Sequence, residues 1–324
     1  MQLLRDKFEA AWQRHLDTHS FWQAWAARDP ETAGFVRDSL QMPGKRLRPL
    51  LFALACRAFG GDALTDLMPA ALALELTHSF ILVHDDVIDG SDLRRGVPSL
   101  PKRLDSALCE KPSGHFNGND VAVVTGDILS SLAMDSLAQT VAPPERVLGA
   151  IRALMRAALD TGHGTLLEIN AAHTGLSDVS TDGIERVYAL KTGAYSFALP
   201  IRLAAQLTGS TPPFDVDDFG AHAGIAFQLK NDRQDLQYWL QGGRLPDDIR
   251  DGRPIWAAVY AWGAADADRR RLFEQPPGAA LQDVFRATDT LAAMGQAIAR
   301  HAQAAQAHLA DPALRDFVAE IVKP

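Results

Sequence analysis

Apolar side chains recur at helical spacing along most of this 324-residue chain, and this periodicity restricts the possible folds more than any other feature. Near the N-terminus, for example, Phe8, Trp12 and Leu16 recur every fourth residue among charged side chains. The alternation typical of half-buried strands is missing. Helices are predicted at residues 2–28, 46–60, 66–89, 121–140, 144–170, 181–208, 215–240 and 279–308. The sequence therefore predicts an all-α fold built from long helices.

Three stretches rich in Gly and Pro interrupt the helical pattern and are predicted to be loops. They are residues 90–120, 209–214 and 241–254. None resembles a linker between domains, because the composition on its two sides is the same. Long loops in a helical protein are more often functional than incidental. A single domain over residues 1–324 is predicted.

Composition and charge exclude several classes of protein. An apolar fraction of 47% is too high for a disordered chain. The 32 basic and 40 acidic side chains give a net charge of −8, which argues against nucleic acid as a partner, because phosphate backbones bind basic faces. No signal-peptide core precedes Arg5, and the apolar stretch at residues 67–83 is too short and polar to span a bilayer. Two cysteines give no disulfide framework, so a cytoplasmic protein without a membrane span is expected.

An acidic cluster ends the helix predicted over residues 66–89. Asp85 and Asp89 are four residues apart and share one helical face, where like charges repel and the helix C-terminus disfavours anions. A divalent cation such as Mg²⁺, which prefers oxygen ligands and phosphate, would relieve both penalties. A solvated acidic helix end is the simpler alternative. The apolar face before the cluster and the pair Arg94 and Arg95 after it favour the cation.

A basic run, Gly-Lys-Arg-Leu-Arg-Pro at residues 44–49, precedes another apolar helix. Basic side chains just before a helix N-terminus form an anion site together with the free backbone N–H groups. A solvated basic patch is the alternative for this run alone. The run therefore indicates an anion site only in combination with other motifs.

A second acidic cluster lies in the helix predicted over residues 215–240. Asn231 and Asp235 share a helical face, Asp232 lies beside them, and Gln228 lies one turn before. Two such clusters on separate helices predict a site where metal ions bridge one phosphate group. Lys191 and Thr192, in the helix at residues 181–208, add a positive charge and a hydroxyl suited to phosphate.

Taken in order, these motifs resemble the trans-isoprenyl diphosphate synthases, or polyprenyl synthetase family, over roughly residues 40–256. The matching motifs are Gly44 to Pro49, His78, Asp85 to Asp89, Arg94 to Gly96, Gly126-Asp127, Lys191 to Gly193 and Phe227-Gln228. The resemblance implies a large antiparallel helical bundle around a deep central cavity, usually a homodimer. It also implies condensation of an allylic diphosphate with isopentenyl diphosphate, assisted by three Mg²⁺ ions per site that bind together with diphosphate.

The resemblance assigns roles by position. Isopentenyl diphosphate is expected to contact Lys45, Arg48, His78 and Arg95. The allylic diphosphate is expected to contact Arg94, Lys191 and Gln228, with Thr192 near the reacting carbon. Arg244 and Arg253 are further expected substrate contacts. The expected metal ligands are Asp85, Asp86, Asp89, Asn231, Asp232 and Asp235. The expected catalytic residues are Asp85, Asp89, Lys191, Thr192, Gln228 and Asp232.

The chain departs from the family pattern at several positions. The second motif normally begins with Asp where this chain has Asn231, an uncharged ligand expected to bind Mg²⁺ more weakly. Arg244 and Arg253 stand where the family usually has Lys, and Thr165 stands where it has Gln. These departures leave two alternatives open. One is a terpene cyclase-like enzyme or a prenyltransferase with an atypical acceptor, and the other is a non-catalytic regulatory homologue.

Product length is expected to depend on the helix before the first acidic cluster. Phe80 and Ile81 stand five and four residues before Asp85, where the family has the floor of its cavity. A bulky residue there blocks a growing chain, because overpacking is costly, and accompanies short products in related synthases. Farnesyl or geranylgeranyl diphosphate is therefore the expected product.

Overall fold

The computed structural model describes residues 1–61, 66–109 and 115–323. Within those residues the regular secondary structure is helical apart from one short β-hairpin, which confirms the predicted all-α fold. The chain forms two compact units, which are described one after the other. Unit 1 comprises Met1–Ile151 and Gln206–Ser210, and unit 2 comprises Arg152–Ala205 and Thr211–Pro324. The single domain over residues 1–324 stays a prediction.

Unit 1 is built around a buried helix that ends at the first acidic cluster. Its elements are α1 (Gln2–Thr18), α2 (Ser20–Arg28), α3 (Pro30–Gln41), α4 (Leu47–Ala58), α5 (Met68–Ile88), β1 (Leu93–Arg94), β2 (Val97–Pro98), α6 (Leu100–Cys109), α7 (Gly118–Ala138) and the start of α8 (Pro144–Thr174). Apolar side chains of α1, α4, α5 and α7 form the core, among them Phe8, Leu51, Leu74 and Leu129. The long helix predicted over residues 66–89 is thereby confirmed as α5.

Unit 2 contains the rest of α8 and the C-terminal helices. Its further elements are a 3₁₀ turn (Leu176–Asp178), α9 (Thr181–Tyr188), a π-helical segment (Ala189–Ala198), α10 (Leu199–Thr208, whose end belongs to unit 1), α11 (Val216–Leu240), α12 (Asp247–Arg250), α13 (Trp256–Ala264), α14 (Ala267–Arg270), a 3₁₀ turn (Arg271–Glu274), α15 (Ala279–Ala287), α16 (Thr290–Ala307) and α17 (Pro312–Val322). Buried side chains of α9, α11, α13, α15 and α16 form one apolar cluster.

Several boundaries differ from the sequence prediction. The predicted helix over residues 2–28 is wrong at His19, where the chain is extended and the ring nitrogen accepts the N–H of Phe21 to begin a new helix. The predicted loop at 90–120 contains α6 and the β1–β2 hairpin. Helices α3, α13 and α17 were not predicted. Short segments carry too few turns for a clear period, and the packing around them decides their structure.

Within the described residues, one helix is long and apolar enough to span a membrane by length and composition. This helix is α7, with a mean hydropathy of 1.4 in its most apolar window. Of that window, 44% is buried inside the fold, and the core helix of a soluble protein passes the same test of length and composition. The sequence prediction considered residues 67–83 instead, and the expected absence of a membrane span stays a prediction.

We expect His15 in α1 to make the fold sensitive to acid. Burial lowers the pKa of its imidazole from 6.5 to about 4, with a further decrease from His19 that Asp135 partly offsets. Below pH 6.5 the unfolded chain binds this proton and the folded chain does not, so the free energy of unfolding should decrease by about 1–3 kcal/mol between pH 6.5 and 4. Urea denaturation across this range should show a flatter curve for His15→Gln, whereas the exposed His163→Gln should match the wild type.

Candidate active site

The end of α5 places the first acidic cluster on two faces of the helix. Asp85 and Asp89 are half-buried on one face, and the N–H of Asp89 donates to the carbonyl oxygen of Asp85 at 2.8 Å. Asp86 lies about 100° around the helix and is buried. Its carboxylate accepts hydrogen bonds from Nε of Arg94 at 2.8 Å and from Nη2 of the same side chain. Asp85 and Asp89 thus fit Mg²⁺ as oxygen donors. Asp86 forms an ion pair with Arg94, and its predicted role as a metal ligand stays a prediction.

The β1–β2 hairpin orients the two arginines that follow the cluster. Leu93 pairs with Pro98 and Arg94 pairs with Val97, so that Arg95 and Gly96 form the turn. Both turn residues have positive φ, 54° and 81°, as a type I′ turn requires. Nη2 of Arg94 consequently lies 3.7 Å from Oδ2 of Asp85 as well as bonding Asp86. The predicted contact of Arg94 with an allylic diphosphate stays a prediction.

His78 lies in a region of positive potential within unit 1. Burial lowers the pKa of its imidazole well below the ordinary value. Four guanidinium groups lower that pKa further, those of Arg48, Arg95, Arg94 and Arg46. These positive charges surround a side chain that is neutral at pH 7, and two of them, on Arg46 and Arg94, are paired with carboxylates. The structure therefore brings together three residues predicted to hold isopentenyl diphosphate, namely Arg48, His78 and Arg95.

The basic run before α4 contains cations with different environments. Lys45 is exposed, whereas Arg46 is buried with a left-handed φ of 48°. Nη1 of Arg46 donates to Oε1 of Glu75 at 2.5 Å, and Nε donates to Oε1 of Glu9 at 2.8 Å. Burial alone lowers the pKa of Arg46, yet the two glutamates raise it above the ordinary value. Arg46 therefore stabilises the fold, and Lys45 is the cation of this run that solvent and ligands can reach.

The two residues predicted as a chain-length floor lie on different sides of α5. Ile81 lies one turn before Asp85 on the same face, whereas Phe80 lies about 140° around the helix. The ring of Phe80 meets that of His84 edge to face, with 6.0 Å between centroids. Nε2 of His84 lies 3.1 Å from the carbonyl oxygen of Val123 in α7. Ile81 is thus aligned with the carboxylates, and Phe80 is directed to the α7 side.

In unit 2, the π-helical segment carries Lys191 and Thr192. Such wide turns are rare and occur frequently at functional sites. A glycine in this segment lets α11 approach its backbone, because a Cβ on Gly193 would lie 2.5 Å from the carbonyl oxygen of Gly220. As a result Oγ1 of Thr192 lies 3.5 Å from Oε1 of Gln228. The structure thus brings together two residues that the sequence predicted as neighbours of the substrate.

Asp232 lies buried in a hydrogen-bond network next to these residues. Oδ1 accepts from Nε2 of Gln228 at 2.8 Å, and Oδ2 accepts from the hydroxyl of Tyr188. Burial, assisted by the nearby carboxylate of Asp248, raises the pKa of Asp232 to about 7 despite these hydrogen bonds. Asp232 therefore orients Gln228 in this structure. Tyr188 was not predicted, although its place three residues before Lys191 is a signal that could have identified it.

Asn231 and Asp235 lie one turn apart on α11 and are more accessible than Asp232. Asn231 is half-buried and Asp235 is exposed. Partial burial and the neighbouring Asp247 raise the pKa of Asp235. An amide oxygen and a carboxylate are donors of the type that Mg²⁺ accepts. Across residues 1–61, 66–109 and 115–323, no three His, Cys, Asp or Glu side chains converge on a metal-sized site.

A glutamate in α8 binds the predicted phosphate lysine. Nζ of Lys191 lies 2.5 Å from Oε2 of Glu168. A glycine one turn earlier allows this approach, because a Cβ on Gly164 would lie 2.7 Å from the backbone nitrogen of Lys191. Glu168 comes three residues after Thr165, where the chain departs from the family pattern. The sequence did not indicate that Glu168 pairs with Lys191. The pair holds the ammonium group of Lys191 against α8.

The two arginines predicted after α11 both lie beside aspartates. Nη2 of the exposed Arg244 donates to both carboxylate oxygens of Asp247, at 2.8 and 3.0 Å. Nη1 of Arg253 lies 3.5 Å from Oδ1 of Asp248. The structure thus gives each arginine an acidic neighbour, and their contact with substrate stays a prediction.

Comparison with known proteins identifies a family and several relatives of this chain. The family model for Polyprenyl synthetase matches residues 30–289. Geranylfarnesyl diphosphate synthase from Aeropyrum pernix is 30% identical over 260 residues, which cover 78% of this chain and 76% of that protein. The heterodimeric geranylgeranyl pyrophosphate synthase large subunit 1 of Arabidopsis thaliana is 35% identical over 210 residues, 62% of this chain. The match spans only about half of that relative, 53% of its length.

A solved structure shares the fold over nearly the whole chain. It is the geranylgeranyl pyrophosphate synthase from Corynebacterium glutamicum, complexed with isoprenyl diphosphate and magnesium. The TM-score is 0.84 at 24% identity, and the superposition covers 98% of this chain and 99% of the other. At this identity the likeness shows a common all-α fold.

Proposed function

Because this chain belongs to the polyprenyl synthetase family, we propose that it is a Mg²⁺-dependent prenyltransferase that condenses an allylic diphosphate with isopentenyl diphosphate. The observation that carries the proposal is the arrangement of charge in unit 1. Asp85 and Asp89 share one half-buried face at the end of α5, and His78, two turns earlier on the same face, lies near Arg48 and Arg95. Carboxylates for a metal and cations for a diphosphate are thus adjacent but separate, as two diphosphate substrates require.

The proposed chemistry gives the acidic residues and the basic residues different roles. Asp85 and Asp89 would hold Mg²⁺, which would supply positive charge to stabilise the departing pyrophosphate. The family resemblance assigns Lys191 and Gln228, which lie in unit 2, to the allylic diphosphate, whose C–O bond ionises to give an allylic cation and pyrophosphate. Lys45 holds isopentenyl diphosphate, whose alkene attacks that cation, and the released pyrophosphate accepts the proton that the resulting carbocation loses. Apolar surroundings exclude the water that would otherwise quench the cation.

We propose a short-chain product in the range of geranylgeranyl diphosphate. Relatives bearing the names geranylgeranyl and geranylfarnesyl diphosphate synthase support this range. Within the chain, the position of Ile81 one turn before Asp85 supports a limit to product length, because a chain growing past the carboxylates meets this side chain first. Farnesyl diphosphate is the shorter of the two expected products, and product analysis distinguishes it from geranylgeranyl diphosphate.

A homodimer in the cytoplasm is part of the same proposal. Helix α8 carries an apolar row that is exposed in the monomer and shares one face, comprising Met155, Leu159, Leu166 and Ile169. An exposed apolar row on one helix face supports an interface with another protein chain. Sedimentation velocity of the purified chain tests the assembly, and a monomer at micromolar concentration contradicts it.

Product analysis tests the proposed function directly. The purified protein is incubated with Mg²⁺ and dimethylallyl, geranyl or farnesyl diphosphate, with and without isopentenyl diphosphate, and the products are identified by mass spectrometry. Longer diphosphates formed only with isopentenyl diphosphate support the proposal. Hydrocarbons or alcohols formed without it would instead identify a cyclase-like enzyme. The absence of turnover at high Mg²⁺ would indicate a regulatory homologue.

Replacing Asn231 with Asp is expected to lower the Mg²⁺ concentration for half-maximal activity by about three- to tenfold, because a carboxylate adds a charge that the amide lacks. Titration of activity with Mg²⁺ at saturating substrates measures the change. The matched control is Asn119→Asp, an exposed position at the start of α7, which should leave the titration unchanged. An unaltered Mg²⁺ dependence of the Asn231 variant would show that this residue is not a ligand.

A further inference from the structure

Helix α1 contacts the loop at residues 42–46, which joins α3 to α4 and carries Lys45. Nη1 of Arg5 donates to the carbonyl oxygen of Gly44 at 3.1 Å, and Nη2 donates to that of Lys45 at 2.9 Å. One planar guanidinium thus binds two successive carbonyls, a geometry that a lysine ammonium cannot reproduce. Arg5 therefore restrains the backbone that carries the accessible lysine of the basic run.

Two more side chains on the same face of α1 bind the residue that follows in the loop. Glu9 accepts a hydrogen bond from Nε of Arg46 at 2.8 Å, and Cζ of Arg46 lies 5.7 Å from the centre of the Trp12 ring. Arg5, Glu9 and Trp12 are spaced by four and three residues, which places them in one row. Since Arg46 has a left-handed backbone, its conformation depends on such external contacts.

Arg95 binds the remaining carbonyls of the loop. Its Nη1 donates to the carbonyl oxygen of Met42 at 3.2 Å and to that of Pro43 at 2.7 Å. All four carbonyl oxygens at residues 42–45 therefore accept from a guanidinium group. Carbonyl oxygens carry partial negative charge and repel a diphosphate, so this arrangement removes a barrier to anion binding next to Lys45.

We propose that Arg5 is a positioning residue for isopentenyl diphosphate. It acts through the loop at residues 42–46, by fixing the backbone so that Lys45 and the N-terminus of α4 meet the diphosphate together. The inference rests on the proposed function. Helix α1 lies outside residues 30–289, which the family model matches, so the role belongs to the N-terminal segment of this chain.

Steady-state kinetics of the full-length protein tests the role of Arg5. For Arg5→Ala we expect the KM for isopentenyl diphosphate to rise by about five- to thirtyfold, the effect of losing charge-assisted hydrogen bonds. The KM for the allylic diphosphate and kcat at saturation should change by less than about twofold. Arg5→Lys keeps the charge but not the bidentate geometry, so its KM for isopentenyl diphosphate should lie between those of the wild type and Arg5→Ala. Lys7→Ala, at an exposed position of the same helix, should match the wild type.

A second measurement keeps the inference testable if the Ala variant loses stability. Isopentenyl diphosphate alone should raise the melting temperature of the wild type and raise that of a folded Arg5→Lys variant less. An equal rise in both KM values, or a fall in kcat with an unchanged KM, overturns the role of Arg5 while the proposed function stands. A wild-type chain that neither binds nor converts isopentenyl diphosphate overturns the proposed function, and this inference with it.

Discussion

Replacement of Asp85 by Ala is expected to reduce kcat for the condensation by about a thousandfold, because metal-borne charge contributes several kcal/mol to stabilising the leaving pyrophosphate. The carboxylate lies on the accessible face at the end of α5, one turn from Asp89, and Arg94 is 3.7 Å away. Loss of one of two adjacent carboxylates leaves Mg²⁺ with a single protein ligand from this helix. Single-turnover assays with saturating substrates and Mg²⁺ measure the chemical step apart from product release.

Two neighbouring aspartates serve as controls for Asp85. Asp92 is exposed and pairs with the exposed Lys102 at 3.2 Å, so Asp92→Asn should retain wild-type turnover. Asp86→Asn removes the carboxylate that binds Arg94 and is expected to lower stability, while the Mg²⁺ concentration for half-maximal activity stays within about threefold of wild type. If Asp86→Asn impaired Mg²⁺ binding as strongly as Asp85→Ala, the assignment of the two faces of α5 would be incorrect.

Replacement of Glu75 by Ala should lower the free energy of unfolding by about 3 kcal/mol, because it leaves a buried charge without its buried partner. Glu75 and Arg46 are both nearly inaccessible, with side-chain exposures of 5% and 4%, and their atoms approach to 2.5 Å. Removing the carboxylate leaves a buried guanidinium with its second partner, Glu9, alone. Urea denaturation monitored by circular dichroism at pH 7 gives the difference directly.

Glu9 provides the matched control, because it binds the same guanidinium but is 41% exposed. Solvent screens such a charge, so Glu9→Ala should cost no more than about 1 kcal/mol. Glu75→Gln keeps the side-chain volume and one hydrogen-bond acceptor. Its loss of stability should therefore lie between those of Glu75→Ala and Glu9→Ala. Equal losses for Glu9→Ala and Glu75→Ala would mean that burial does not determine the strength of these ion pairs.

Most of the fold was predictable because helical periodicity is a local property. The helix over residues 66–89 was predicted from this period, and the structure confirms it as α5. The break at His19 was missed, although the polar His19 and Ser20 interrupt the row of Phe8, Trp12 and Leu16 at that point. The π-helical segment was also missed, since its widened turn depends on α11 packing closely against Gly193.

The candidate site was predicted as a set of residue types rather than as a set of contacts. Spacing alone indicated that Asp85 and Asp89 share a face, and the structure agrees. Spacing could not show that Asp86 binds Arg94 or that Asp232 binds Tyr188, because these partners come from other elements. Burial distinguishes residues of the same type that the sequence cannot tell apart, because an ionised group in the core needs a partner and an exposed one does not.

By itself the sequence determined the all-α class, the family and the two acidic clusters, because helical period and motif spacing are written in consecutive residues. Only the tertiary structure decided which cations serve the fold and which can reach a ligand. Arg46 meets Glu75, 29 residues away, and Arg5 meets Lys45, 40 residues away. Such pairs form only after the helices have packed, and the burial that packing imposes determines how strongly each charge needs its partner.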